Sequence, residues 1–328
     1  MYTPPFKITS RIVNLVAEIS AKIERYAILL EQDTQLRLRK ANRIKTIHSS
    51  LAIEGNELTE GQVRDIINGR NVVAPLREIQ EVKNAIATYD LFPELNPFDE
   101  KDLLLAHKTM MQSLVENPGH WRTKGVGVFG ETGCVHMAPP PQRVPALMSD
   151  LFEWLKKSKD HLLIRSCVFH YEFEFIHPFS DGNGRTGRLW QSLILGRLNP
   201  LFEHLPVENM VYANQQEYYH AIAVSTSEGQ SGPFIDFMLN EILKTLQKFL
   251  KEDVPNKIPN KVPNKSELSI LRLLADNPRL TRIELAVKVG ISENGVKKII
   301  ANMKAAGWIE RMGSNKTGYW IVQYKLKD

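Results

Sequence analysis

His177-Pro178-Phe179-Ser180-Asp181-Gly182-Asn183-Gly184-Arg185-Thr186-Gly187-Arg188 packs an imidazole, a carboxylate, a run of small residues and two guanidiniums into twelve positions. Glycine has no side chain in the way and accepts positive φ, so Gly182-Asn183-Gly184 lets backbone N–H groups approach an anion. The segment that follows, with Leu189, Leu193 and Ile194, reads as a helix, and its positive end lies at that N–H nest. Arg185 and Arg188 are three apart in its first turn and share a face. Together these features describe a phosphate cradle. Asp181, just ahead of it, suits a Mg²⁺ held by one carboxylate plus phosphate oxygens. His177, one loop away, is placed to take a proton from an attacking hydroxyl. A solvated turn with surface arginines explains a lone G-x-G, but not all of these partners in one window.

Upstream, the spacing predicts a helix over 161–176, with Leu162, Ser166, Phe169, Phe173 and Ile176 on one core stripe and His177 at its end. His170 has no partner at metal spacing and no H-E-x-x-H occurs, which excludes a zinc site of that kind. Gly125-Val126-Gly127-Val128-Phe129-Gly130 fits G-x-G-x-x-G, yet no helix follows it, so the stretch around Glu131-Thr132-Gly133 reads as a short hairpin. Residues 10–31 have amphipathic helical spacing (Ile12, Leu15, Val16, Ile19, Ile23). A second helix runs through Leu36, Ile44, Ile47 and Leu51 and stops at Gly55-Asn56. Its last turn puts Ser50 and Glu54 on one face, with Glu54 at the negative helix end, where a carboxylate is disfavoured unless a cation meets it. Residues 57–95 read as helical, and 97–116 as a core helix in which His107 is a packed histidine rather than a ligand.

The chain of 328 residues is long enough for two or three domains, and 43% hydrophobic content can fill their cores. It has no run of eighteen apolar residues, and Met1-Tyr2-Thr3-Pro4-Pro5 lacks the regions of a signal peptide, so no membrane association is expected. Two cysteines, Cys134 and Cys167, build neither a disulfide framework nor a zinc set, which points to a reducing cytoplasm. The net charge of +5 is uneven: residues 266–328 carry eleven Lys and Arg against six Asp and Glu, and the first 250 carry 27 against 29. A nucleic-acid contact is therefore expected at the C-terminal end.

Residues 251–265 repeat Pro-Asn-Lys three times, an extended linker and a domain boundary. Beyond it Ser266 opens a helix, Thr281-Arg282-Ile283-Glu284 is a capping box opening a second that ends at Gly290, and Ser292 opens a third. Apolar stretches at Trp308 and Tyr319 flank a turn over 313–318. Three helices and a wing resemble a winged helix-turn-helix, whose third helix offers Asn294, Lys297, Lys298 and Asn302. DNA binding and protein docking are both open for it.

The stretch 177–188 matches, position by position, the H-P-F-x-D-G-N-G-R-x-x-R signature of the Fic family, and Ser50 to Gly55 match that family's S/T-x-x-x-E-G/N inhibitory motif. The resemblance implies a mostly α-helical protein: an N-terminal helical region with the inhibitory helix (1–96), a Fic core with a small β-hairpin flap (97–250), the linker (251–265) and a winged helix (266–328). It implies transfer of AMP from ATP to a Tyr, Thr or Ser hydroxyl of a target protein, with the protein itself among the candidates. In that scheme His177 is the base and Asp181 the Mg²⁺ ligand. Gly182, Asn183, Gly184 and Arg185 hold the phosphates, and Arg188 holds the γ-phosphate unless Glu54 pairs with it. Tyr218 and Tyr219 fall where relatives place aromatics by the nucleotide, while Thr226 stands where some have asparagine. Alternatives are removal of AMP, and a DNA-binding regulator that uses the Fic fold as a nucleotide sensor.

Overall fold

A computed structural model describes residues 2–29, 43–130, 133–204, 207–252, 265–305, 308–312, 318–322 and 324. The chain divides into two compact units, Met1–Lys248 and Phe249–Asp328.

In the first unit α1 (Ser10–Leu29) buries Ile12, Leu15, Ile19 and Ile23, the expected apolar stripe, and leaves Val16 half-buried. The described part of α2 covers 43–52, and the expected start of that helix near Leu36 lies outside the described residues. The stretch 57–95 holds two helices, α3 (Glu60–Ile67) and α4 (Leu76–Asp90). Thr59 opens α3 through a capping box with Gln62. The helix expected over 97–116 is shorter, α5 (Glu100–Met110), capped by Asp99; the chain turns at Met111 and reaches a positive φ at Ser113.

Strands β1 (Gly127–Gly130) and β2 (Gly133–Met137) pair antiparallel, with Gly127 opposite Met137 and an irregularity between Val128 and Phe129. The glycine-rich stretch is thus a hairpin and not a nucleotide loop, and residues 131–132 at its tip lie outside the described residues. Helix α6 (Val144–Lys157) follows, then α7 (Leu162–Ile176) and α8 (Asn183–Leu198), which pack against each other. Helices α9 (Val207–Ala213), α10 (Gln215–Glu228) and α11 (Gly232–Glu252) complete the unit.

Helix α7 departs from its expected single stripe: Leu163, Val168, Phe169, Tyr171 and Phe173 are all buried, so it is covered all round. Its jacket includes the N-terminal segment. Tyr2 Oη donates to Glu172 at 3.1 Å, Ser231 N donates to Pro5 O at 3.0 Å, and Phe6 meets Trp154 edge-on at 6.1 Å. A helix enclosed this way presents its C-terminal end as a rigid mount.

The second unit packs α12 (Lys265–Asp276), α13 (Arg282–Val289), α14 (Glu293–Ala305) and the antiparallel pair β3 (Ile309–Met312) and β4 (Tyr319–Val322). Its core cluster is apolar throughout, from Ile270, Leu271 and Leu274 to Val296, Trp308 and Trp320. The capping box at Thr281 and Glu284 forms, and Gly290 closes α13 in the left-handed conformation. The tip of the wing, 313–317, and most of the linker, 253–264, lie outside the described residues.

Candidate active site

Helix α7 ends at His177, which takes a left-handed conformation (φ 50°, ψ 60°) unusual for a side chain other than glycine. That strain turns the chain from α7 into the loop 178–182, and three ties hold the turn. Arg122, almost fully buried, donates from Nε to His177 O at 2.7 Å and from Nη2 to Ile176 O at 3.2 Å and Pro139 O at 2.6 Å. Its Nη1 reaches Lys124 O at 3.0 Å, and its own N–H donates to Pro178 O at 2.9 Å. One guanidinium thereby staples the loop to both flanks of the hairpin.

The second tie is Asn183. Its Oδ1 accepts from Phe179 N at 2.9 Å and its Nδ2 donates to Phe179 O at 3.0 Å. The Asn183 side chain is committed to shaping the loop, which leaves its backbone N–H for an anion. The third is His107, buried and stacked on Phe179 with ring centroids 3.5 Å apart. Gly119 N donates to its Nδ1, so Nε2 carries the proton and donates to Asp181 O at 2.9 Å. Burial lowers its pKa to about 4, which keeps that neutral tautomer. His107 is the packed histidine expected, and it also fixes the loop.

Gly182 begins α8 at φ 82°, and a Cβ there would stand 2.6 Å from Met111 Sδ, so both conformation and space demand glycine. The first-turn N–H groups of Asn183, Gly184 and Arg185 precede any intrahelical acceptor and face out of the helix end. Asp181 Oδ1 accepts from Gly182 N at 2.6 Å and from Arg185 Nη2 at 3.3 Å, and Oδ2 lies 3.7 Å from Arg77. Arg185 is also 3.7 Å from Glu81, whose other oxygen accepts from Asn56 at 2.9 Å. No set of three His, Cys, Asp or Glu able to cage a metal occurs among the described residues. The Asp181 side chain, 42% exposed, nonetheless fits a Mg²⁺ that draws its remaining oxygens from phosphate and water.

Arg188 is buried, and Nη2 donates to Glu54 Oε1 at 2.8 Å and to Ser50 O at 3.0 Å. The pair expected from the sequence is present. Burial, the largest single influence, lowers the Arg188 pKa, but the charge and hydrogen bond of Glu54 together with the other acidic groups around it outweigh that and hold the guanidinium above its ordinary value. A Cβ on Gly184 would come 2.6 Å from Glu54 Oε1, so the absence of a side chain there lets the carboxylate in. Ser50 itself is buried and contributes its carbonyl.

The two tyrosines separate. Tyr218 is 2% exposed and its hydroxyl contacts His170 Nε2 at 3.0 Å, so it is a core residue with no ring face for a base. The apolar packing around Phe234 claims it. Tyr219, half exposed, keeps the base-contact expectation. Thr226 contacts the Tyr171 hydroxyl at 3.3 Å. His170 Nδ1 meets Gln191 at 2.5 Å, and burial lowers its pKa to about 4, so it is a neutral core histidine.

Sequence reasoning missed Arg122, Glu81 and Glu174. Only Glu174 carried a signal: it is a charged residue between Phe173 and Phe175 in a helix read as core.

A crystal structure of a Fic family protein from Desulfovibrio desulfuricans G20 is 42% identical to this chain, covers 100% of both chains and superposes with a TM-score of 0.74. This chain belongs to the Fic family. Residues 97–195 match the Fic/DOC family model, and 263–310 match a winged helix-turn-helix DNA-binding model. The fold is likewise shared with Fic-1 of C. elegans at 23% identity, with a TM-score of 0.61 over 73% of this chain and 72% of that one. Curated relatives named protein adenylyltransferase Fic are 29% identical over 71% of this chain and 47% of the relative in Drosophila willistoni, and 29% over 69% and 46% in Aedes aegypti. The chain spans about half the length of these Fic relatives.

Proposed function

We propose that the protein transfers AMP from ATP to a Tyr, Thr or Ser hydroxyl of a target protein, itself among the candidates, and that Glu54 restrains it at rest. The observation that carries this reading is the first turn of α8, where a helix-end N–H nest, Arg185 and the Glu54–Arg188 pair lie beside His177 and Asp181. The resemblance to relatives named protein adenylyltransferase supports the choice of ATP.

In this reading Asn183, Gly184 and Arg185 grip the phosphate chain and set the α-phosphorus in line with the incoming hydroxyl. His177 takes the hydroxyl proton, the oxygen bonds to the α-phosphorus, and pyrophosphate leaves with the electron pair of the broken bond. A Mg²⁺ held by Asp181 and phosphate oxygens would neutralise charge on the leaving group. Tyr219 lies against the nucleotide. Glu54 occupies the one guanidinium that would otherwise hold the γ-phosphate, so ATP binds without its α-phosphate aligned. The linker 251–265 separates residues 1–96 and 97–250 from the winged helix at 266–328.

A second reading is favoured by the match at 263–310: a regulator that binds DNA through α14, where Asn294, Lys297, Lys298 and Asn302 are all exposed. The reducing cytoplasm suits both readings. Among the described residues no helix is long and apolar enough to cross a membrane. Incubating the purified protein and its Glu54→Gly variant with labelled Mg²⁺-ATP and lysate tests the first reading. Covalent labelling that rises in the variant supports transfer. No labelling by either, together with tight salt-sensitive DNA binding, supports the regulator.

A further inference from the structure

One buried charge near the site has no role in the scheme above. Glu174 sits one turn before His177 on α7, and its side chain is only 12% exposed. Oε2 lies 4.0 Å from His177 Nδ1, and Oε1 has no hydrogen-bond partner among the described residues. A buried carboxylate left partly unsatisfied is costly, so its retention needs a reason. The fold also makes room for it. A Cβ on Gly187 would meet Glu174 Oε1 at 2.8 Å, so α8 approaches α7 here only because residue 187 lacks a side chain.

We propose that Glu174 is the positioning residue for His177: its carboxylate accepts the Nδ1 proton, leaves Nε2 as the acceptor facing the target hydroxyl, and balances the imidazolium formed during transfer. This rests on the transfer reading. When the hydroxyl O–H bond breaks, its proton moves to Nε2 and the oxygen pair forms the new bond to phosphorus. The imidazole then carries a positive charge, and the carboxylate behind it meets that charge without itself taking the proton. At 4.0 Å the pair is longer than a hydrogen bond, as catalytic contacts often are before substrate closes the site.

Groups on four segments face or influence Glu174. His170 on α7 is 3.8 Å away and neutral, and Tyr218 on α10 is a neutral phenol. Arg188 on α8 favours the charged carboxylate, while Glu54, in the turn after α2, opposes it. Burial, the largest influence, raises the Glu174 pKa to about 7. Removing the Glu54 charge therefore also favours an ionised Glu174.

The test uses the full chain in the Glu54→Gly background, comparing Glu174→Gln and Glu174→Asp. With Glu174→Gln, kcat for AMP transfer should fall about tenfold to a hundredfold while KM for ATP stays within about twofold. Nitrogen-15 NMR of labelled histidine should place the proton of neutral His177 on Nδ1 in the parent and show its pKa falling by about one unit in Glu174→Gln. Glu174→Asp should recover part of kcat. The amide variant should melt no lower than the parent, because it removes an unsatisfied buried charge. Unchanged kcat, tautomer and His177 pKa in a folded Glu174→Gln would overturn the proposal. If the parent itself labels nothing, the transfer reading fails, yet the NMR comparison still decides whether Glu174 governs the His177 proton.

Discussion

The two units differ in how much polarity they bury. In the first, charged and polar side chains are sunk beside the cradle: Arg188, Arg185, Asn183, His170, Gln191 and Glu208 are all nearly inaccessible. Each needs a partner: Asn183 and Arg185 find theirs within a turn, while Arg188 and Glu208 reach far along the chain to Glu54 and Tyr89. In the second unit the core cluster is apolar from Ile270 to Trp320, and among the described residues Glu267 is the one charged side chain buried with it. Burying polar groups costs stability unless every bond is made, so a region that accepts the cost is committed to a site. The described residues of the three-helix unit bury far less polarity, and its polar α14 side chains Asn294, Lys297, Lys298 and Asn302 stand exposed.

The largest expected effect is at His177. His177→Ala should cut AMP transfer by about 10²–10⁴-fold yet leave nucleotide binding close to normal, since the grip lies in 181–188. Labelling kinetics with parallel calorimetry check both halves, and near-normal transfer would remove His177 from the mechanism.

Next comes acidity, which should strain the first unit more than the second. His107 and His170 both have folded pKa values lowered to about 4, so they remain unprotonated where the unfolded chain already binds protons. Stability is present above pH 6.5 and is lost as pH falls through 4, with each group contributing up to about 3 kcal/mol. Glu174, raised to about 7, acts in the other sense: its contribution is present at low pH and fades as pH rises through 7. Chemical melts of the full chain between pH 4 and 8 should show this slope, and substituting His107→Gln should flatten the acid limb. An unchanged limb would contradict the buried neutral histidine.

Glu54→Gly should raise automodification at least about tenfold, equivalent to about 1.4 kcal/mol of barrier. Arg188→Ala should not reproduce the gain, because it also removes the γ-phosphate contact. Time-resolved incorporation of labelled AMP measures both variants, and equal rates for the wild type and Glu54→Gly would end the inhibitory reading.

The smallest effect belongs to the second unit. If α14 meets DNA phosphates, reversing Lys297 and Lys298 to glutamate should reduce the slope of log affinity against log salt by about two. Transfer should be untouched. A slope that does not change would move the DNA contact elsewhere or favour protein docking.

Much of this protein was legible in one dimension because the relevant physics is local. The ends of α7 and α13, the capping box at Thr281, the hairpin and the run from His177 to Arg188 depend on residues within a turn or two of one another. Such spacing leaves a mark in the sequence. The pairing of Glu54 with Arg188 was also anticipated, since a carboxylate at a negative helix end calls for a cation and a known inhibitory motif named one. What sequence reading could not supply were contacts with no local signature. Arg122 closes on His177 across 55 positions, and Glu81 reaches Arg185 through a different helix. Tyr218 is placed in the core by packing around Phe234 rather than by its own spacing. The burial of Glu174 is of the same kind: α7 is enclosed on all sides only after α6, α8 and the N-terminal segment assemble around it. Sequence alone determined which chemical groups stand together in the cradle and how the helices bearing them begin and end. Tertiary structure alone decided which of those groups lose water, and desolvation is what sets their charge, their partners and their availability to a substrate.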